Sequence, residues 1–249
     1  VAKERIDTVL AKRGLAPSRE KARVLVMAGE VYIDGQRVLK TDTRVDESAS
    51  VEVRGDPIPY VSFGGVKLKA ALDAFGIDVG GKTALDIGSS TGGFTDCLLQ
   101  EGALRVYAVD SGTHQLHEKL RGDERIVLKE NCNARYLDFD DIGTRADIIT
   151  IDVSFISLKK IIPAALKFIH EKSRIVSLVK PQFEVGRYNV GKGGIVKDQG
   201  KIEGVLDEIR EFGISIGITP LGTLEVPRER QRKNREFFIL WEVSKGLSR

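Results

Sequence analysis

From residue 66 to residue 179, short apolar runs alternate with segments of helical periodicity, and this alternation restricts the possible folds more than any other feature. It reads as a helix to Phe75, a strand from Thr83 to Ile87, a helix from Phe94 to Gln100, a strand from Arg105 to Val109, and strands at 148–151 and 174–179. Such an order builds a mostly parallel sheet wound with helices on both faces, an α/β fold. Ligands in these sheets bind beyond the carboxyl ends of the strands. Two later runs, 214–225 and 236–243, are predicted to pair as an antiparallel hairpin.

The first fifty-odd residues follow a different plan. Arg5-Ile-Asp-Thr-Val-Leu10 starts a helix that Gly14 ends, and Ser18 is the natural N-cap of a second helix, with Glu20 in its acid-favoured first turn. Gly29 stops that helix. Val31-Tyr-Ile33 then enters a tight Asp34-Gly35 turn, and 50–53 alternates as a further strand. Gly55-Asp-Pro-Ile-Pro59 interrupts any regular element. The expected organisation is a small α+β domain at 1–56, a linker at 57–65 and a large domain at 66–249.

Net charge is only +3, but it is unevenly spread. Residues 1–40 carry nine Lys or Arg against five Asp or Glu, and residues 226–235 carry five against one, so each segment has a surplus of four. Two local basic patches suit an anionic partner, although solvated basic loops of this size are common. No run approaches the roughly 18 apolar residues that would cross a bilayer, and the start lacks the apolar core of a signal peptide. A cytoplasmic protein without a membrane partner is expected. Cys97 and Cys132 are too few and too far apart for a disulfide framework and read as small buried side chains. His114, His117 and His170 lack metal-ligand spacing, so no metal site is assigned.

The first strand of the large domain runs into Asp86-Ile-Gly88-Ser-Ser90-Thr-Gly92-Gly93-Phe94, a glycine-rich turn opening a helix. It is neither a dinucleotide G-x-G-x-x-G nor a P-loop, since Ser occupies position 90 and no phosphate-binding Lys follows. The next strand ends in Asp110, where such folds place an acceptor for ribose hydroxyls. Together these features suit a nucleoside cofactor without phosphates. Asn133 is either a contact for its base or a capping residue. Four more polar residues stand where strand ends or the domain entry carry them to the same mouth: Lys67, Asp152, Lys180 and Glu236. Singly, each is equally a solvated charge.

Several blocks combine into a resemblance. Arg5-Ile-Asp-Thr-Val-Leu-Ala-Lys-Arg-Gly-Leu-Ala-Pro-Ser-Arg19 and Ala28-Gly-Glu-Val-Tyr-Ile-Asp-Gly35 resemble the RNA-binding module shared by a ribosomal small-subunit protein and many pseudouridine synthases. Ser62-Phe-Gly-Gly-Val-Lys-Leu68, Asp152-Val-Ser-Phe155, Leu178-Val-Lys-Pro-Gln-Phe-Glu184 and Asn234-Arg-Glu-Phe-Phe238 resemble the catalytic blocks of the hemolysin A-type (TlyA) RNA methyltransferases, whose large domain is similar to the FtsJ-type ribose 2′-O-methyltransferases. The likeness spans nearly the whole chain. Phe63 departs from it, since the pattern has Arg there.

The resemblance implies a Rossmann-like S-adenosylmethionine-dependent methyltransferase sheet with a small N-terminal RNA-binding domain. Its implied reaction is methylation of a ribose 2′-hydroxyl, a cytidine of ribosomal RNA, with ribosomal RNA or ribosomal subunits as partner. Lys67, Asp152, Lys180 and Glu236 would be the catalytic set, Lys180 acting either as general base or as an orienting charge. Asp86, Gly88, Ser90, Gly92, Gly93, Phe94, Asp110 and Asn133 would hold S-adenosylmethionine. Arg5, Arg13, Ser18, Arg19 and Arg23 would hold RNA, as would Arg228, Arg230, Arg232 and Lys233 with Arg235 beside them. The segment 184–194 reads as a lid over the RNA or as an ordinary surface loop.

Three rivals make other demands, the first of them a base methyltransferase in either of two chemistries. A carbon-5 pyrimidine methyltransferase needs a nucleophilic cysteine, and Cys132 has no flanking proline. An amine methyltransferase pairs Asp or Asn with Pro-Pro and an aromatic, and Asp152-Val-Ser-Phe155 lacks both prolines. A membrane-acting hemolysin needs an inserting segment. A non-catalytic RNA-binding protein would keep the fold and lose methyl transfer.

Overall fold

The computed structural model describes residues 3–46, 48–54, 58–186, 189–226 and 234–244. The N-terminal part contains β1 (Glu4–Arg5), α1 (Ile6–Lys12), α2 (Arg19–Ala28), β2 (Val31–Ile33), β3 (Gln36–Arg37), β4 (Arg44–Val45) and β5 (Val51–Val53). Ser18 caps α2, its hydroxyl accepting from Lys21 N at 3.1 Å, and Gly29 ends the helix in the left-handed conformation. Asp34 and Gly35 both have positive φ, the geometry of a primed hairpin turn, and join β2 to β3. β2 lies between β3 and β5, while β1 pairs with β4. Ile6, Leu10, Ala22, Leu25, Val26 and Val31 form a separate core beneath these strands.

The large part contains α3 (Phe63–Phe75), β6 (Thr83–Ile87), α4 (Gly93–Gln100), β7 (Arg105–Val109), α5 (Glu118–Arg121), β8 (Ile126–Lys129), α6 (Phe139–Ile142), β9 (Ile148–Ile151), α7 (Ile162–Ala165), β10 (Arg174–Val179), α8 (Pro181–Glu184), α9 (Gln199–Ser215), β11 (Ile218–Glu225) and β12 (Phe237–Val243). Its seven-stranded sheet has the order β11-β12-β10-β9-β6-β7-β8. β12 is antiparallel to both neighbours, and the strands from β10 to β8 are parallel. The chain runs outward from β6 to β8 and then crosses back to β9, so the crevice for a ligand opens at β6 and β9.

Period-two alternation puts successive side chains on opposite faces. In β12, Phe237, Ile239 and Trp241 enter the core under α7 and α9, whereas Phe238 and Leu240 enter the one under α3 and α4. The buried Trp241 indole satisfies its N–H by donating to Ser177 Oγ at 2.9 Å.

Several boundaries differ from the sequence reading. The run predicted as a strand from 214 is helical at its start: α9 extends to Ser215 and β11 begins at Ile218. Ile202, Val205, Leu206 and Ile209 form the buried stripe of α9, and Asp198 caps it by accepting from Lys201 N. β8 and the β1–β4 pair were also not anticipated. α3 starts at Phe63, not Val66, and Ile58 and Tyr60 are buried in the core of the large part, so much of the predicted linker is body. Lys21 of α2 donates to Tyr60 O at 2.7 Å and also to Ile58 O, joining the two parts.

Candidate active site

The glycine-rich turn forms where β6 meets α4. Gly88 has φ 87°, and a Cβ there would lie 2.2 Å from the Asp152 carbonyl oxygen. Any other residue would push the end of β9 away from the turn, so glycine is required by both torsion and contact. Asp152 N in turn donates to Ile87 O at 2.9 Å. The turn and the Asp152 segment are thereby held against each other at the crossover.

Asp110 follows β7, and its carboxylate clamps two loops. Oδ2 accepts from Ser90 N at 2.8 Å and Oδ1 accepts from Gly112 N at 2.7 Å. Ser90 itself sits at φ 48°. Asn131 N and Cys132 N donate to Gly112 O and Asp110 O, so the segment leading to Asn133 lies along the Asp110 loop. Asn133 caps a short 3-10 helix (Ala134–Tyr136), its Oδ1 accepting from Arg135 N at 3.2 Å, which realises the capping alternative. Asp86 has no exposed surface: Thr95 and Thr150 donate to its two oxygens at 2.7 and 2.9 Å. Burial raises its carboxyl to about 6, with the two threonine hydroxyls opposing the shift. Asp86 therefore joins α4 to β9 behind the turn. Gly92 and Gly93 are at the start of α4, Gly93 packing against Ser62 Oγ, and Phe94 is buried against Phe238.

The four charged residues come together at one end of the sheet. Ser177 pairs with Ile151 and Val179 with Phe237, so Asp152, Lys180 and Glu236 extend the ends of three adjacent strands. Lys180 Nζ is 2.5 Å from Asp152 Oδ1 and donates to Ser154 Oγ at 3.0 Å. Lys67, in the second turn of α3, donates to Glu236 Oε2 at 2.5 Å. All four side chains are between 12% and 22% exposed, enough to meet a substrate yet well shielded from bulk water. Two ammoniums and two carboxylates leave the group neutral.

Three features here were missed by sequence reasoning. Phe155, in the loop after Asp152, is 91% exposed at φ 63°, with Phe183 beside it at a 5.0 Å centroid distance. A bulky residue in that torsional region is an outlier. Glu184 holds the same loop by accepting from Leu158 N at 2.8 Å. Asn234 ties the far end of the 184–194 loop to the entry of β12, accepting from Val196 N and donating to Gly194 O, both at 2.8 Å. All three stand in the blocks that carry the resemblance, but what they hold becomes visible only in the fold.

The predicted RNA contacts divide. Arg5, Arg19 and Arg23 all reach the carboxylate of Asp7, whereas Arg13 donates to Ala49 O and Ser18 serves as a cap. Arg235 is paired with Glu225. Arg228, Arg230, Arg232 and Lys233 lie outside the described residues. Phe63, where the resemblance has Arg, packs against the core of α3 and α4. His170 is hydrogen-bonded to Asp147 at 3.0 Å and is not simply exposed. Cys97 is buried and Cys132 half-buried, both as free thiols. Among the described residues no group of three His, Cys, Asp or Glu could hold a metal, and no helix is long and apolar enough to cross a membrane.

A doubly wound sheet with this glycine turn, carboxylate clamp and neutral Lys-Asp-Lys-Glu mouth defines a methyltransferase of the Rossmann-like class. The chain belongs to the FtsJ-like methyltransferase family, which residues 60–242 match, and residues 4–51 match the S4 domain. It is 43% identical over 237 residues to the 16S/23S rRNA (cytidine-2′-O)-methyltransferase TlyA of Mycobacterium tuberculosis, covering 94% of this chain and 88% of the relative. It is 39% identical over 234 residues to Hemolysin A of Brachyspira hyodysenteriae, covering 94% and 97%. Among solved structures, a candidate hemolysin of Streptococcus thermophilus superposes with a TM-score of 0.77 at 41% identity, covering 98% of this chain and 89% of that one.

Proposed function

We propose that this chain transfers a methyl group from S-adenosylmethionine to the 2′-hydroxyl of a cytidine in ribosomal RNA. The observation that carries the reading is the Gly88–Asp152 contact, which sets the cofactor turn directly against the end of β9 that carries the charged mouth. The 43% identical relative named for this reaction supports the substrate class.

When bound, S-adenosylmethionine supplies an electrophilic methyl that the ribose oxygen takes in line, so the chain must orient that oxygen and exclude water. Ser90, Gly92, Gly93 and the Asp110 clamp would hold the nucleoside. An ammonium has three donors; Lys180 gives one to Ser154 Oγ and is ion-paired with Asp152 at 2.5 Å. A remaining N–H would point at the 2′-oxygen and stabilise the charge developing there as the methyl–sulfur bond breaks and the carbon–oxygen bond forms, the hydroxyl proton passing out to solvent at the partly exposed mouth after transfer. Lys67 and Glu236 would fix the ribose from the other side. The exposed Phe155 ring would stack on the base of the target nucleotide, the usual way a single-stranded base is held.

The test is incubation of the full chain with methyl-labelled S-adenosylmethionine and ribosomal subunits lacking the modification, followed by mapping of the label. Label on a ribose 2′-oxygen supports the proposal. Label on a base, or none in RNA, would overturn it.

A further inference from the structure

Resting on the RNA reading above, we propose that Asp7 is a positioning residue for RNA, gathering Arg5, Arg19 and Arg23 into one pre-arranged site for backbone phosphates.

The Asp7 side chain is 0% exposed, an expensive place for a carboxylate unless its oxygens are satisfied. Arg5 meets it with two prongs, Nε at 3.0 Å and Nη2 at 2.9 Å, Arg23 Nε donates at 3.1 Å, and Arg19 Nη2 reaches it at 3.5 Å. The Arg5 bonds first, and then Arg23, hold the carboxyl far below the usual carboxylate range, so it stays ionised. Three positive groups against one negative leave a surplus of two. The arginine side chains remain 39%, 48% and 48% exposed, so each shares a guanidinium between Asp7 and solvent.

The three arginines come from different places. Arg5 is on β1, and Arg19 and Arg23 are one turn apart on α2. Without a common anchor, three like charges on long side chains would spread apart, and each would have to be ordered when RNA bound. Asp7 orders them in advance. A guanidinium presents five N–H groups in a fixed plane, and those not used on Asp7 can fork onto phosphate oxygens.

Replacing Asp7 by Asn separates the alternatives because two effects have opposite signs. The substitution removes a negative charge, so long-range attraction alone would tighten binding to any polyanion. Positioning predicts instead that the full-length Asp7→Asn chain binds purified ribosomal RNA roughly tenfold more weakly while binding heparin as well as wild type or better. Its S-adenosylmethionine affinity should stay unchanged. Combined with Arg5→Ala, the loss should be less than additive, because both act through the same arrangement. Should Asp7→Asn fail to fold, Arg23→Lys keeps the charge and the buried partner but loses the planar fork, and a several-fold loss on ribosomal RNA is expected. Wild-type-like RNA binding by either folded variant would overturn the role of Asp7. Absence of RNA binding by the wild-type chain would overturn the RNA reading and the role of Asp7 with it.

Discussion

In the N-terminal module one buried carboxylate is met by three arginines, whereas at the mouth of the large sheet two lysines meet two carboxylates. Both are ion-pair clusters, yet their stoichiometry differs, and so does what each can hold. A surplus of two positive charges on a half-exposed surface attracts phosphate whatever the sequence of the RNA. A neutral mouth does not trap phosphate, and offers directed N–H groups to an uncharged hydroxyl. On the proposed reading the same chemistry divides into capture at one end and orientation at the other.

The broadest way to break this comparison is to strip the surplus. Arg19→Ala with Arg23→Ala leaves Arg5 paired with Asp7 and should weaken ribosomal RNA binding roughly 10- to 100-fold. The slope of log affinity against log salt should become shallower by about 2, and S-adenosylmethionine affinity should not change. An unchanged salt slope, measured by filter binding, would show that RNA is captured elsewhere.

A narrower effect is expected at the cofactor turn. Asp110→Ala removes an anchor of Ser90 and Gly112 together with the proposed ribose acceptor. Calorimetry should show S-adenosylmethionine binding weakened by about 1.5–3 kcal/mol, with RNA binding intact. Equal loss of both ligands would blur the division between the two regions.

A further contrast lies between two fully buried aspartates. Asp7 is held ionised by arginines, while Asp86 is hydrogen-bonded by Thr95 and Thr150 and is raised by burial to about 6. A carboxyl that titrates higher in the folded chain than in the unfolded one contributes stability fully below about 4, and that contribution is lost as pH rises through about 6. The magnitude is on the order of 2–3 kcal/mol. Asp86→Asn should flatten that part of the pH–stability curve in chemical denaturation, and a curve with the wild-type slope would remove Asp86 as its source.

Much of this was legible in the sequence where a local rule decides. The Asp34-Gly35 turn, the Ser18 cap, the glycine turn after Thr83–Ile87 and the three charges at strand ends all follow from short-range chemistry. Other features depend on partners far along the chain. β1 and β4 are two residues each and exist only by pairing across about forty positions. Asp7 reads as a first-turn acid until α2 brings Arg19 and Arg23 over it. Asp86 reads as a turn residue, but Thr150, on a strand 64 positions later, helps to draw it inside. The apolar spacing of α9 was present in the sequence, though a glycine at 204 and another at 213 weakened it as a helical signal. Gly213 is there because a Cβ would meet the Trp241 ring, a constraint visible only once β12 is packed.

Single-turnover methyl transfer to ribosomal RNA by Lys180→Ala reads whether the Lys180 ammonium acts on the reacting hydroxyl. The folded variant should bind S-adenosylmethionine and RNA within a few fold of wild type yet transfer methyl roughly 100-fold or more slowly, with no rescue by Lys180→Arg, whose planar fork differs from a compact ammonium. A rate within tenfold of wild type would contradict it.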